Sequence, residues 1–548
     1  MNKSLASLVV LVFTLNAASR GPLTFGATPA QDASWQAMYD GGFARGITGW
    51  SSELTRSEKT QEGLRVADPS TQKGSGRFYH LDWHVDSGQG AMVEARLKAV
   101  SCSASWGVAL LVADGVHEEG VTFFPDKIAL ASAGLSVPFD AAGAFHTYRV
   151  QIRGTDIKVW AGEKLLLDGT GKFTAEANHN RNQIGFGCAS SAATGEAVWQ
   201  WVRFQGGRIE PPLAGKPDVA GLDVRMVETQ TIIPGGQYIS MFKFNDGSLA
   251  VGNKRSSDAG RTWKNARAFH VGAFQFPDGE IVQLGFRTTK TNRDGWFSGD
   301  LARSVDNGLT LKKETAAIHI PEGAGGTGDD GSQFQGPVAD HAIVQLRDGS
   351  LLAGMYGQFK TDRVLVPTMP VKWQCFKYRT FVVHSTDRGR TWEYLSTVVY
   401  DPGIGLESFC EPDLLTLPDG DVLCFMRTGG SGGKFTPLYL SRSKDDGKTW
   451  SQPEPVADRG VWPNSCRMKN GVLVCTYGRP GNWLMFSLDN GRTWKGHFCF
   501  YDRGTTSYNS VEEIEPDTLL VVYDGQFLDD NGNLTRGVLG TRLTVKRR

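Results

Sequence analysis

Polar and charged residues recur at equivalent places in a series of repeated units in the C-terminal two thirds of the chain. They fall where one apolar strand is predicted to begin and where the next strand is predicted to end, and in antiparallel strands those two ends share one face. Guanidinium groups bind anions, and a pocket with several convergent polar groups can hold a heavily hydroxylated ligand. The residues of this predicted rim are Gln237, Gln275, His341, Glu411, Ser465 and Tyr508 at strand starts, and Lys254, Arg287, Tyr356, Arg427, Arg479 and Asp524 at strand ends.

The repeated units are marked by an octapeptide of pattern Ser-x-Asp-x-Gly-x-Thr-Trp. It occurs at 256–263, 385–392, 443–450 and 487–494, and a copy at 304–311 ends in leucine instead of tryptophan. We interpret it as a tight turn in which Ser and Asp bond the local backbone, Gly adopts a positive φ and Trp anchors the next strand. Strand alternation predicts that the octapeptides lie on the face opposite the rim. We therefore assign their acidic residues a structural role.

Turns of the Asp-Gly type separate the first and second strands of each unit. Six of them occur, with the sequences NDGSLAV, PDGEIV, RDGSLLA, PDGDVL, KNGVLV and PDTLLVV. This spacing predicts a six-bladed β-propeller over residues 222–548, with four strands in each blade. The last unit has no octapeptide, so the strand at 224–231 is expected to complete it and close the ring.

The N-terminal part of the chain has a different strand pattern. Residues 31–205 alternate apolar and polar side chains with turns every eight to twelve residues, which favours an antiparallel β-sandwich. In pattern this region is similar to lectin-like jelly rolls of the concanavalin or laminin-G type. His80, Trp83 and His84 within it are interpreted as ordinary strand residues. Residues 206–221, which are rich in proline, are predicted to be a linker.

Composition and the first residues limit the classes of function. Residues 1–30 have a lysine, an apolar run and small residues, which predicts a secretory signal peptide and leader, and hence a secreted or periplasmic protein. The 58 Lys and Arg residues balance 58 Asp and Glu residues, so nucleic acid is not an expected partner. The eight cysteines form no CxxC pair, which argues against a zinc cluster. We expect no cofactor, no bound metal and no membrane span, and a monomer that acts on glycans.

The octapeptide is that of the Asp-box, or BNR repeat, and residues 222–546 resemble the sialidase (neuraminidase) superfamily. The resemblance implies a tyrosine nucleophile, a glutamate paired with it, an aspartate acid/base and three arginines that grip a substrate carboxylate. It implies that Tyr508 in TTSYNSVEEI is the nucleophile and that Glu411 in CEPDLLTLPDG is its partner. It also implies that Arg427 and Arg479 are the second and third arginines.

A tyrosine paired with a carboxylate is chemically suited to act as the nucleophile in glycoside hydrolysis. A phenol with a pKa of about 10 is a poor nucleophile at neutral pH, and an adjacent carboxylate can accept its proton. Tyrosine nucleophiles are an exception to the usual pair of carboxylates in glycosidases. A neutral phenol also avoids the repulsion between an anionic nucleophile and an anionic sugar.

Two features of the superfamily are missing from the sequence. Gln237 stands where the first arginine is expected, and the loop after Gly252 is too short to carry the acid/base aspartate. Asp340 and His341, at the start of the third unit, are alternative proton donors, and Asp294 is another. Arg287 and Gln237 remain candidates for substrate binding.

These observations predict an all-β protein, a six-bladed propeller preceded by a jelly-roll sandwich. The favoured function is an exo-glycosidase that releases a terminal acidic sugar, a sialic acid, through a tyrosine nucleophile. One alternative is a glycosidase or lyase that acts on another sugar or uronic acid. The other is a propeller that binds glycans without catalysis.

Overall fold

A computed structural model describes most of the chain. The described residues are 35–39, 47–49, 56–71, 77–178, 181–189, 192–207, 219–235, 240–267, 272–324, 326–327, 333–334, 336–367, 375–429, 436–501, 505–528 and 534–548. They form 41 β-strands and no α-helix, which confirms the all-β class. The predicted leader at 1–30 and most of the predicted linker lie outside these residues.

The N-terminal region consists of two antiparallel sheets. Its strands are β1 Gln36–Tyr39, β2 Ile47–Gly49, β3 Arg56–Lys59, β4 Leu64–Asp68, β5 Arg77–Asp82, β6 Ala91–Cys102, β7 Ala109–Asp114, β8 Glu118–Phe123, β9 Lys127–Leu130, β10 Leu135–Pro138, β11 His146–Arg153, β12 Asp156–Ala161, β13 Lys164–Gly169, β14 Asn182–Cys188 and β15 Gly195–Gln205. One sheet has the order β13-β12-β11-β6-β15-β4-β3, with β1 also paired to β15. The other sheet has the order β10-β9-β8-β7-β14-β5-β2.

A single apolar core lies between these two sheets. Phe186 of one sheet packs against Trp199 of the other with ring centroids 5.0 Å apart, and Phe123 packs against Tyr148 at 4.7 Å. Trp83 is fully buried, and its indole nitrogen donates to the Ala113 carbonyl oxygen at 2.8 Å. Trp83 is therefore a core residue rather than an exposed sugar-stacking one.

The C-terminal region is built from four-stranded antiparallel units. Its strands are β16 Leu222–Pro234, β17 Met241–Lys243, β18 Leu249–Val251, β19 Lys254–Ser256, β20 Lys264–Asn265, β21 Ala273–Gln275, β22 Ile281–Lys290, β23 Trp296–Ser304, β24 Lys312–His319, β25 Gly326–Thr327, β26 Gln333–Phe334, β27 Val338–Gln345, β28 Leu351–Gly357, β29 Arg379–Ser385, β30 Thr391–Val399, β31 Cys410–Thr416, β32 Val422–Arg427, β33 Leu438–Ser443, β34 Glu454–Ala457, β35 Val461–Arg467, β36 Leu473–Gly478, β37 Asn482–Ser487, β38 Lys495–Tyr501, β39 Asn509–Glu515, β40 Thr518–Leu528 and β41 Leu534–Arg547.

Six such units follow one another in the part of the chain that the structure describes. They are β17–β20, β21–β24, β27–β30, β31–β34, β35–β38 and β39–β41 with β16, and we number them one to six. Units two and three share one sheet through a parallel pairing of β24 with β30. β16 pairs along β41, so a strand from the start of the region completes the last unit, as predicted. The propeller architecture is thereby confirmed.

The octapeptides form the predicted turns between third and fourth strands. In the copy at 385–392, Gly389 N–H donates to Ser385 Oγ at 2.8 Å and Thr391 N–H donates to Asp387 Oδ1 at 2.8 Å. Gly389 has φ +82°, and Arg388 before it is also left-handed at +62°. Only the glycine was expected to need this conformation. The aspartate is used by its own turn, which agrees with a structural role.

One predicted rim residue lies at the wrong end of its strand. β21 ends at Gln275 rather than beginning there. The Gln275 amide donates to Asn307 of an octapeptide at 3.1 Å, so Gln275 lies on the face opposite the rim. The error arose because β21 is only three residues long. In so short a strand, the alternation of apolar and polar residues does not show where the strand begins and ends.

The buried tryptophan of the octapeptide should make a large contribution to stability. Trp392 is 0% exposed and its indole nitrogen donates to the Gly389 carbonyl oxygen at 2.9 Å. We expect Trp392→Ala to reduce the apparent unfolding free energy of the propeller by about 3–5 kcal/mol, because it leaves a large cavity. Trp263→Ala, at the same place in a partly buried copy, is the control and should cost less. Equal losses in chemical denaturation would contradict this account.

Candidate active site

Glu411 lies in a β-bulge at the start of β31. The pairing of β31 with β32 shifts register between Cys410 and Asp413, and Glu411 lies within this bulge at φ +44°. The neighbouring unit repeats the device at Trp462, which has φ +50° in a bulge of β35. Bulges redirect side chains next to functional sites, and left-handed non-glycine residues are uncommon. Both residues precede a proline, Pro412 and Pro463.

The Glu411 carboxylate is a junction of three units. Oε1 accepts hydrogen bonds from Arg427 Nη1 at 2.5 Å and from the Tyr508 hydroxyl at 3.2 Å. Oε2 accepts the Trp462 backbone N–H at 2.9 Å. Glu411 is 3% exposed, so these donors replace the water that its charge would otherwise require.

Arg427, the last residue of β32, lies beneath this carboxylate. Its side chain is 2% exposed and is paired with Glu407 as well, with Nη2 3.1 Å from Oε2. Its Nε donates to the Gly429 carbonyl oxygen at 3.1 Å. Burial alone would lower the pKa of Arg427, but the charges of Glu407 and Glu411 outweigh burial and hold the pKa well above its usual value. Arg427 is therefore a permanent cation between two carboxylates.

Tyr508 precedes β39 in the sixth unit and is half-buried. Its ring packs edge-on against Trp462 with centroids 4.7 Å apart. The Arg479 guanidinium lies 5.7 Å from the centroid of the same ring. Nε and Nη2 of Arg479 donate to the Thr506 carbonyl oxygen at 3.1 and 2.6 Å. Arg479 thus borders Tyr508 and stays partly exposed, unlike Arg427.

The segment before Tyr508 is held by Asp524. Asp524 is fully buried in β40 and accepts the Thr506 N–H at 3.0 Å and the Thr505 hydroxyl at 3.3 Å. Ser507, between Thr506 and Tyr508, is left-handed, at φ +66°. Asp524 was predicted to face the ligand, but its bonds show that it shapes the backbone that carries Tyr508.

The remaining candidate residues from the sequence are Gln237, His341, Asp340, Arg287 and Asp294. Gln237 lies outside the described residues, and so does the side chain of His341. Asp340 is buried in β27, and Arg287 is exposed on β22. Asp294 is exposed and bonds Lys360 at 3.1 Å, and this bond lowers the pKa of the Asp294 carboxyl. A carboxyl with a lowered pKa carries no proton at neutral pH, so Asp294 is a poor proton donor.

Two residues of the site were not predicted, Glu407 and Trp462. Glu407 lies in the loop before β31, where a charged side chain usually faces solvent. The sequence does contain a signal for Trp462: Glu-Pro-Asp at 411–413 and Trp-Pro-Asn at 462–464 occupy the same place in successive units. A residue aligned with Glu411 is expected to lie beside it.

A polar cavity of about 180 Å³ is lined by residues from the first strands of all six units. Asp413, Ser465, Glu512 and Lys243 line it, and the Ser465 hydroxyl donates to Asp413. Burial raises the pKa of Glu512 to about 7, with Lys243 opposing the shift and Asp413 adding to it. In the part of the chain that the structure describes, no cluster of three His, Cys, Asp or Glu residues could hold a metal ion.

A larger cavity of about 610 Å³ lies elsewhere, along β22, β23 and β24. Its lining includes Arg267, Phe286, Asp300 and Leu311, and it contains none of the residues around Glu411. The surroundings of Glu411 are the candidate active site because a carboxylate, a phenol and two guanidinium groups meet there.

Fold and site together define a class of protein: a repeat propeller with a tyrosine, a buried carboxylate and arginines at its rim. Residues 273–516 match the BNR repeat-like domain family. No helix in the described ranges has the length and apolar character needed to cross a membrane.

Parts of the chain are similar to proteins named sialidases. A sialidase of Bacteroides fragilis is 32% identical over 100 residues, which cover 15% of this chain and 18% of that protein. A sialidase of Vibrio cholerae is 23% identical over 235 residues, which cover 37% of this chain and 29% of that protein. A solved structure, the NanB sialidase of Streptococcus pneumoniae, aligns with a TM-score of 0.39 at 11% identity, covering 85% of this chain and 99% of that one.

In the matched regions the chain is thus similar to BNR-repeat proteins and to sialidases. It spans less than a third of the length of the curated relatives described above.

The raised pKa of Glu512 has a consequence for stability. A carboxyl whose pKa is about 7 in the folded state, against an ordinary 4.5, loses stabilising effect as the pH rises through 7. We therefore expect Glu512→Gln to raise the melting temperature at about pH 8, and to raise it less at about pH 5. Glu454→Gln, an exposed control, should show no such difference. A gain that does not depend on pH would contradict this interpretation.

Proposed function

We propose that this protein is a glycoside hydrolase of sialidase type in which Tyr508 is the nucleophile and Glu411 accepts its proton. One observation carries the proposal: the Tyr508 hydroxyl donates to Glu411 Oε1 at 3.2 Å, while Arg427 Nη1 donates to the same oxygen and the Trp462 N–H donates to Oε2. A general base must lie within hydrogen-bond reach of the proton that it takes.

The reaction proceeds in two displacements. As Tyr508 Oη forms a bond with the anomeric carbon, its proton passes to Glu411 and the bond to the leaving oxygen breaks. A general acid protonates the leaving oxygen. Water then attacks the anomeric carbon of the glycosyl-enzyme and gives a proton to the deprotonated general acid, which is thereby restored. The bond between Tyr508 Oη and the anomeric carbon breaks as Oη recovers its proton from Glu411, so the configuration of the sugar is retained.

Asp340 is our choice for the general acid. It lies in β27, the first strand of the unit next to that of Glu411, and it is 2% exposed. Asp294 is disfavoured because Lys360 keeps it ionised. His341, adjacent to Asp340, is the alternative.

A terminal sialic acid is the substrate that the proposal favours. Its carboxylate would meet Arg479, which borders the Tyr508 ring and is partly exposed. The relatives described above are named sialidases. We also propose that the protein is exported, on the basis of the predicted signal peptide, since its substrates would then lie outside the cell.

Removal of the nucleophile provides the direct test. We expect Tyr508→Phe to reduce turnover of a fluorogenic sialoside by more than about 1,000-fold. Glu411→Gln, which cannot take the proton, should reduce turnover by about 100- to 10,000-fold. The measurement is kcat at saturating substrate, with folding verified by thermal melting.

Tyr400→Phe is the matched control, because Tyr400 is half-buried against Arg379 and follows β30, the fourth strand of unit three. It should leave kcat unchanged. Full activity in Tyr508→Phe would exclude this mechanism. Turnover of other glycosides but not sialosides would support the alternative glycosidase, a product with a new double bond would indicate a lyase, and binding without turnover would indicate a lectin-like propeller.

The proposed general acid can be tested through the leaving group. Asp340→Asn should slow hydrolysis of a natural-type alkyl sialoside by about 100- to 10,000-fold, because a poor leaving group needs its proton. An aryl sialoside with an acidic phenol as leaving group should be slowed far less. Equal losses on both substrates would show that Asp340 does not act as the acid.

A further inference from the structure

We propose that Arg427 is a positioning residue, the shared counter-ion of Glu407 and Glu411, and that of Arg427 and Arg479 only Arg479 meets an anionic group of the sugar. This inference rests on the proposed function for its substrate, but its structural part does not. It departs from the role that sequence resemblance assigns to Arg427.

The first argument is that Arg427 is already engaged on three sides. Nε donates to Gly429, Nη1 to Glu411 at 2.5 Å, and Nη2 lies 3.1 Å from Glu407. The side chain is 2% exposed. A planar guanidinium that already bonds two carboxylates and a carbonyl would have to break these bonds to reach a substrate.

The second argument is the charge that such a movement would leave behind. Glu407 and Glu411 are 2% and 3% exposed, and Arg427 is paired with both. Withdrawal of the guanidinium would leave two buried carboxylates facing each other, and an uncompensated buried charge is strongly unfavourable. A substrate carboxylate, which must itself be desolvated, would not compensate for that loss.

The third argument is that Glu407 is fixed by its backbone. Its carbonyl oxygen accepts the Tyr378 N–H at 2.8 Å, and its own N–H donates to the Thr428 carbonyl oxygen at 3.1 Å. The Cys410 thiol also lies 3.8 Å from its carboxylate. Glu407 therefore holds Arg427 from a rigid position, and Arg427 in turn holds Glu411 against Tyr508.

Arg479 differs from Arg427 in each of these respects. It is partly exposed, and its Nε and Nη2 both donate to one carbonyl oxygen, that of Thr506. Among the described residues it forms no ion pair with a carboxylate. Its charge lies 5.7 Å from the Tyr508 ring. The preference for an acidic sugar over a neutral one should therefore come from one charged contact. We expect kcat/KM to be roughly 10- to 100-fold higher for the acidic sugar.

The substrate arm of the test compares an aryl sialoside with its carboxamide analogue. We expect Arg427→Lys to reduce kcat for both and to leave the acid-to-amide ratio of kcat/KM within about 3-fold of the wild type. Arg479→Lys should reduce that ratio by about 10-fold or more, because its planar contact is lost. Loss of the ratio in Arg427→Lys, or a wild-type ratio near one, would overturn the assignment.

The second arm needs neither turnover nor ligand. Glu407→Gln keeps the shape of the side chain and removes one negative charge near Tyr508. We expect this change to lower the pH at which the Tyr508 phenol ionises. Ionisation is measured by near-ultraviolet absorbance, and the Tyr508→Phe variant identifies the part of the signal that comes from Tyr508. Glu393→Gln, in the exposed pair with His319, is the control and should produce no change.

The two arms separate the possible failures. If the wild-type protein turns over no glycoside, the proposed function is contradicted. The ionisation of Tyr508 in the Glu407→Gln variant would still decide the role of Glu407. A folded Glu407→Gln variant with unchanged tyrosine ionisation would overturn the positioning role, whatever the activity.

Discussion

The site depends on one buried carboxylate, Glu411, which three successive units of the propeller share. Arg427 comes from its own unit, the Trp462 backbone from the next, and the Tyr508 hydroxyl from the one after that. Removal of one partner of a buried charge pair costs about 3–5 kcal/mol, because the other charge remains buried. The geometry of the phenol is therefore tied to the closure of the ring.

Ring closure in turn depends on features far from the chemistry. The pairing of β16 with β41 completes the sixth unit, which carries Tyr508. The octapeptide turns bond their own aspartates. They also place a tryptophan in the core shared by adjacent units, for example Trp392 between units two and three. These turns use left-handed residues to reverse the chain on one face. On the other face, left-handed residues at Glu411 and Trp462 redirect the strand starts towards the site.

Much of this architecture could be predicted from the sequence, because its signals are local and repeated. Each octapeptide makes its own turn, and the strand count follows from the spacing of the turns. The convergence of Glu411, Arg427, Arg479 and Tyr508 at one rim was also predicted, since equivalent positions in a ring share a face. What could not be predicted is the depth of each side chain. Arg427 and Arg479 have similar surroundings in sequence, but only Arg427 has a second carboxylate, Glu407, delivered by a loop with no repeat pattern. The acid/base remains a prediction for the same reason, as no repeated signal marks it.

The central claim is that Tyr508 forms a covalent bond with the sugar. The most direct measurement is mass spectrometry of the protein after reaction with a fluorinated sialosyl fluoride, in which the fluorine next to the anomeric centre slows breakdown of the glycosyl-enzyme. We predict a single added sugar on the peptide that contains Tyr508, and none in Tyr508→Phe. A sugar attached to Glu411, Asp340 or any other residue would contradict the account.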